Sequence, residues 1–286
     1  MKATDLLCST AFMMGLALVI SVITNWAGVF PAEVLTPDVR SNLTIFLLAA
    51  MLTVTFSRIP FANLDPVKNY RSVLRATFLG LVFASTIPLL AYFILRNDPN
   101  LGKYANGLVF IAAAPFAGSV GPLSLILRGD LEHALRSTIV VYVFALVWIP
   151  FIIWATLGTV VDMTKVVITV IELIAVPLVL SRLFTRFEID KTKMGIVLNT
   201  VIAVLVWLSV GSTNFVSAGL GILALFMAIA ALRDIGLGLT TELVEKKLHL
   251  HWSTRVTDIL MISYKNKGIA LALCASVFAS NPPLLG

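Results

Sequence analysis

Two lysines stand deep in an apolar stretch near the end of the chain, in Met261-Ile-Ser263-Tyr264-Lys265-Asn266-Lys267-Gly268-Ile-Ala. Lys265 and Lys267 lie roughly ten residues from either end of segment 256–278, too far in for both to snorkel to a membrane surface. An ammonium at mid-membrane costs about 2.5–3.5 kcal/mol on insertion scales, and it marks a functional site by default. There it can bind an anion or take the place of a bound cation. Asn266 and Gly268 beside the lysines favour an unwound backbone over a continuous helix.

A second anomaly lies earlier, in Phe110-Ile-Ala-Ala-Ala-Pro115-Phe-Ala-Gly118-Ser119-Val-Gly121-Pro122-Leu. Each proline removes a backbone donor and clashes with the carbonyl four residues back, so this run predicts a broken helix. In hydrocarbon the freed backbone groups need partners, and such a break survives only inside protein or beside a wet cavity. The single prolines Pro88, Pro150 and Pro177 read as bends. A third charge within an apolar run is Glu172, which either pairs with one of the lysines or faces an outer vestibule. Asp258 stands seven residues before Lys265, on the same face if the segment is helical.

Other chemistries find no footing. His249-Leu-His251 is a doublet without the further ligands of a metal site. There is no phosphate-cradling glycine loop, no Cys/His zinc spacing, and no Ser/His/Asp set within the apolar region. The sequence therefore reads as a non-enzyme without cofactor or metal. Cys8 and Cys274 do not suggest a disulfide framework.

The elements that carry these residues follow from composition. Of 286 residues, 59% are hydrophobic and only 13% charged, and mean hydropathy is +0.98. Soluble domains carry about 25% charged residues, so an ordinary soluble globule is excluded. Nine apolar segments are expected, near 7–26, 43–56, 74–95, 107–127, 135–157, 166–183, 194–210, 215–232 and 256–278. The first reads as an uncleaved span, and segment 233–255 as a continuation of the eighth helix beyond the membrane. Fifteen Lys and Arg then fall on the side of the N-terminus and four on the other. The positive-inside rule puts the N-terminus in the cytoplasm of a multi-pass cell-membrane protein. The net charge of +6 has this origin, and no basic stripe with stacking aromatics points to nucleic acid.

Two broken spans, the fourth and the ninth, point to a secondary transporter built from inverted repeats. Ala114-Pro115-Phe-Ala-Gly118-Ser119, followed by Leu127-Arg128-Gly129-Asp130, resembles the fourth-helix segment of the bile acid sodium symporter family. There a Pro-Gly-rich crossover precedes an Ala-Arg-Gly-Asn-like turn. Tyr264-Lys265-Asn266-Lys267-Gly268-Ile269-Ala270 is similar to that family's second crossover, and Met51-Leu-Thr53 resembles its Met-Gly-Leu-Thr stretch. The resemblance implies an all-α membrane protein of ten helices in two inverted five-helix repeats. A four-helix panel would face a six-helix core holding two crossing broken helices. The repeats would be residues 1–158 and 159–286 of a single transporter domain. Related folds carry bile acids, small organic anions, auxin or arsenite.

The departures are specific. The family's acidic sodium ligand aligns with Met261 and its glutamine with Lys265. Its Ser-Asn pair aligns with Val120-Gly121, and a third-helix glutamine with Phe83. Only Asn266 and Thr138 retain ligand-capable side chains. The chain also stops at Asn281-Pro282-Pro283-Leu284-Leu285-Gly286, where the family places its tenth helix. Truncation, or a partner chain or second copy completing the core, is expected. The expected function is alternating-access transport of a small organic anion without sodium, Lys265 and Lys267 replacing the bound cation. Loss of a lysine proton during the cycle would couple transport to protons, with Glu172 as a second proton site. The expected site comprises Gly118, Ser119, Gly121, Thr138, Glu172, Lys265, Asn266 and Lys267, with helix breaks at Pro115, Pro122 and Gly268. Alternatives are an oxyanion extruder or channel of the same fold, or a non-transporting sensor or assembly subunit.

Overall fold

A computed structural model describes residues 3–59, 69–185, 190–212 and 215–278. After a short turn at Ala3–Cys8, α1 covers Thr10–Trp26 and α2 Pro37–Ser57. α2 begins earlier than the apolar run does. Thr36 caps it by accepting from the Val39 N–H, and Pro37 occupies the first turn, where no donor is lost. α3 runs from Tyr70 to Leu95, widening to a π-turn over Phe78–Val82 and tightening over Phe83–Ser85. The fourth span is two helices, α4a (Gly102–Ala113) and α4b (Val120–Ile126). α5 is Leu131–Leu157, α6 Met163–Phe184 and α7 Lys191–Gly211. α8 starts as Phe215–Ala231, bends at Gly219 (φ +73°), passes a π-turn at Leu232–Gly236 and continues as Leu237–Lys247. The ninth span is again two helices, α9a (Trp252–Ser263) and α9b (Lys267–Phe278).

The lone prolines leave their helices unbroken. Pro150 lies within α5, while Pro177 follows a π-turn at Ile171–Ala175 that absorbs its missing donor.

Among the described residues, six helices are long and apolar enough to cross a membrane: α2, α3, α5, α6, α7 over Thr192–Gly211, and α8 over Gly219–Lys247. Phe12–Trp26 and Lys267–Phe278 are apolar but shorter. No strand forms among the described residues beyond one isolated bridge. The chain is an all-helical membrane protein.

α1 packs along α7, and α2 along α6. The first pair is joined by Thr10 Oγ1 donating to Asn199 Oδ1 (2.8 Å) and Asn25 Nδ2 donating to the Gly211 carbonyl (2.9 Å). In the second pair Arg182 donates to the carbonyls of Phe56 and Ile59, placing a cation where α2's dipole ends negative. α5 packs on α3, α4a and α4b, and α9b fits among α2, α4a and α6. Small residues let these backbones approach: Ala76, Ala84, Ala105, Ala112, Ala113, Ala134 and Ala145 are fully buried. Large side chains fill the centre, with Phe56 edge-on to Tyr142 at 4.9 Å and Phe110 edge-on to Phe278 at 5.6 Å. Apolar residues such as Ile94, Val147 and Met227 face outward, as a lipid-facing surface requires.

Candidate functional site: a crossover of two broken helices

The break in the fourth span begins where Pro115 forces the residue before it out of the helical region, and Ala114 is extended (φ −62°, ψ 143°). The ninth span unwinds at Tyr264–Asn266. The two unwound segments pair with each other. Phe116 and Lys265 form an antiparallel bridge, the Ala117 N–H donates to the Tyr264 carbonyl (2.6 Å), and the Asn266 N–H donates to Pro115 (2.8 Å). Each break thus supplies partners for backbone groups that the other has freed, which makes them tolerable at membrane depth.

The negative ends of both first halves are met by buried cations. Lys265, 3% exposed, donates to the carbonyls of Ala112 (2.8 Å) and Ala114 (2.6 Å) and to Ser85 Oγ (3.1 Å). Those three acceptors match the three donors of an ammonium, at the C-terminus of α4a. At the C-terminus of α9a, Arg233 donates to the Ser263 carbonyl (3.0 Å) and pairs with Asp234. Ser263 Oγ in turn donates to the Asp234 carbonyl at 2.8 Å. Asn266 joins the halves to α5: its Nδ2 donates to Tyr142 Oη (2.8 Å), and that hydroxyl donates to the Phe116 carbonyl (3.0 Å). Asn266 Oδ1 also accepts from the Ile269 N–H (3.1 Å), capping α9b.

The remaining expected site residues are distributed unevenly. Gly118 and Ser119 lie in the unwound segment, and a Cβ on Gly118 would stand 3.1 Å from Thr55 Cγ2. Gly121 and Pro122 sit inside the first turn of α4b, so the break closes before Pro122. A Cβ on Gly121 would press on Leu135 at 2.9 Å. Gly268 likewise lies inside α9b rather than at the break, and it is small because Leu48 approaches to 2.7 Å of where its Cβ would be. Thr138 is buried, and its hydroxyl is spent on the Ala134 carbonyl of its own helix (2.7 Å).

Two expectations need correction. Glu172 is exposed on the π-turn of α6 and pairs with neither lysine, because backbone carbonyls and Ser85 hold Lys265. Nor do the lysines act as a pair. The Lys267 side chain is 68% exposed, lies 3.6 Å from Asp234, and lines a cavity of about 290 Å³ with Tyr104, Ile111, Phe226 and Leu271. Two residues on, the chain has re-entered a helix and points this side chain elsewhere.

Ser85, Tyr142 and Arg233 belong to the crossover and escape sequence reading. Arg233-Asp234 was visible only as the start of a charged connection. A second polar centre forms around Asp258, whose partners escape sequence reading as well. Asp258, fully buried on α9a, accepts from Arg75 Nε of α3 (2.8 Å) and pairs with His133 Nε2 of α5 (2.8 Å). His133 Nδ1 meets Ser72 Oγ at 2.6 Å and Ser137 Oγ at 3.2 Å. The Asp130 side chain caps α5 through the His133 N–H (2.9 Å), and Thr257 Oγ1 lies 2.8 Å from the Asp130 N–H. The separating break at Tyr264–Asn266 means Asp258 and Lys265 do not share one helix face. Compared with known protein families and with characterised proteins, the sequence matches none.

Proposed function

We propose that this membrane protein is a secondary transporter that moves a small organic anion by alternating access, with Lys265 as a built-in cation in place of sodium. The observation that carries the reading is the paired break itself, with an ammonium-shaped set of acceptors around Lys265 Nζ. Unwound, crossing half-helices at membrane depth are the usual framework for a solute site in such carriers. The packing supports an inverted repeat of residues 1–158 with 159–286. Exchanging the repeats carries the α1–α7 pair onto α6–α2 and the α4–α9 crossover onto itself. Each half of that crossover also uses the same device, a buried cation on the C-terminus of its first helix. In this reading the N-terminus is cytoplasmic.

Lys267 takes a different part from Lys265. It presents its charge to the mostly apolar cavity beside α4a, α8 and α9b, a setting suited to a carboxylate with a short apolar tail. Uptake of labelled carboxylates of graded size into proteoliposomes tests this. We expect a small organic anion to accumulate, and Lys267→Gln to weaken its apparent affinity roughly tenfold or more. Uptake of a cation with no organic anion taken up would contradict the reading.

A further inference from the structure

Glu245 is the only glutamate buried among the described residues, and neither carboxylate oxygen has a hydrogen-bond partner. It sits on Leu237–Lys247 of α8, which packs on α9a, and it faces Asp258. The charged groups around it come from several elements. Arg75 reaches in from α3 and is engaged with Asp258 Oδ2. His133 of α5 occupies Asp258 Oδ1. Glu242, on the same helix, is tied to Arg255 of α9a at 3.1 Å. Arg75 thus pairs with Asp258 and Arg255 with Glu242, while among the described residues no cation pairs directly with Glu245, on which Arg75 acts only across space.

A bare carboxylate here would be buried, unbonded and repelled by Asp258, each an unfavourable condition. One addition removes all three. A proton on Glu245 cancels its charge and gives it a donor, for which the Asp258 oxygens have spare lone pairs. A metal ion fits less well, since the Asp258 oxygens are already engaged. Among the described residues, moreover, no three Asp, Glu, His or Cys side chains gather to hold one.

We propose that Glu245 is a proton-binding site, with Asp258 as its hydrogen-bond acceptor and Arg75 and His133 fixing that acceptor. Release of the proton leaves an extra negative charge between α8 and α9a and loosens their packing at the end of the bundle where Lys246 and Lys247 lie. α9a leads directly into the crossover, so this site can pass protonation to the unwound segment. The inference stands on the cluster alone and holds whether or not an organic anion is transported.

The test needs no substrate. The full chain in lipid nanodiscs is titrated from acid to alkaline pH and followed by infrared difference spectroscopy, with and without ¹³C-labelled glutamate. We expect a protonated-carboxyl band that shifts with the label and disappears on alkaline titration. It should be absent in Glu245→Gln and retained in Glu172→Gln. The thermal midpoint of the wild type should fall as pH rises and the proton leaves, and Glu245→Gln should flatten that slope. A band that survives in Glu245→Gln, or no glutamate-derived band in labelled wild type, would overturn the proposal. The labelled wild type decides the matter even if the variant fails to fold.

Discussion

The crossover and the Asp258 cluster both bury charge at the junction of α9 with its neighbours, and they neutralise it differently. At the crossover a side-chain cation meets main-chain dipoles: Lys265 on Ala112 and Ala114, Arg233 on Ser263. In the cluster, side chains from four helices meet: Arg75 and His133 hold Asp258, and Glu245 lies beside them. The first arrangement sets a side chain against fixed main-chain dipoles, and the second sets side chains against one another. The comparison separates a lysine held by backbone from a carboxylate held by side chains, beside which we propose that Glu245 exchanges a proton.

Removing the shared acceptor should have the largest effect. Asp258→Ala leaves the buried His133 and the half-buried Arg75 without their partner, and we expect it to destabilise the folded protein by up to about 3–5 kcal/mol, the usual cost of breaking a buried pair. Denaturant or thermal unfolding in detergent measures this, and a change below about 1 kcal/mol would mean that the cluster is wetter than its burial implies. Next comes Tyr142→Phe, which strands Asn266 Nδ2 and the Phe116 carbonyl. Its expected cost is about 1–3 kcal/mol, with loss of transport exceeding loss of fold. Equal activity in this variant would remove α5 from the crossover's function. The smallest effect belongs to Glu172→Gln: an exposed side chain that pairs with neither lysine should leave uptake and unfolding unchanged. A clear loss of uptake there would restore Glu172 to the site.

The crossover was legible because its causes are local. Pro115 and Gly118 cannot sit in a continuous helix, and Lys265 cannot sit in lipid, so each announces itself without knowledge of the fold. Six of the nine expected spans were legible for the same reason, since apolar runs of helical length need no tertiary context. The partners were not. Ser85 reads as one small residue in an apolar helix, and Tyr142 as one aromatic in another. Only the approach of α3 and α5 turns them into ligands. His133 lies near the end of a span beside Arg136 and looks like an interfacial residue until Asp258, 125 positions away, is brought to it. Glu172 was left between a lysine and an outer vestibule for the converse reason: depth along a helix is readable from sequence, but rotation about the axis is not. The difference between Lys265 and Lys267 is of that kind too, decided by where α9b restarts.

The most direct measurement is uptake of an accepted anion into proteoliposomes in sodium-free buffer under an imposed pH gradient, for wild type and Lys265→Gln. If Lys265 is the built-in cation, wild type transports fully without sodium, while Lys265→Gln is inactive in that buffer and regains uptake when sodium is added. Strict sodium dependence of the wild type would contradict the account.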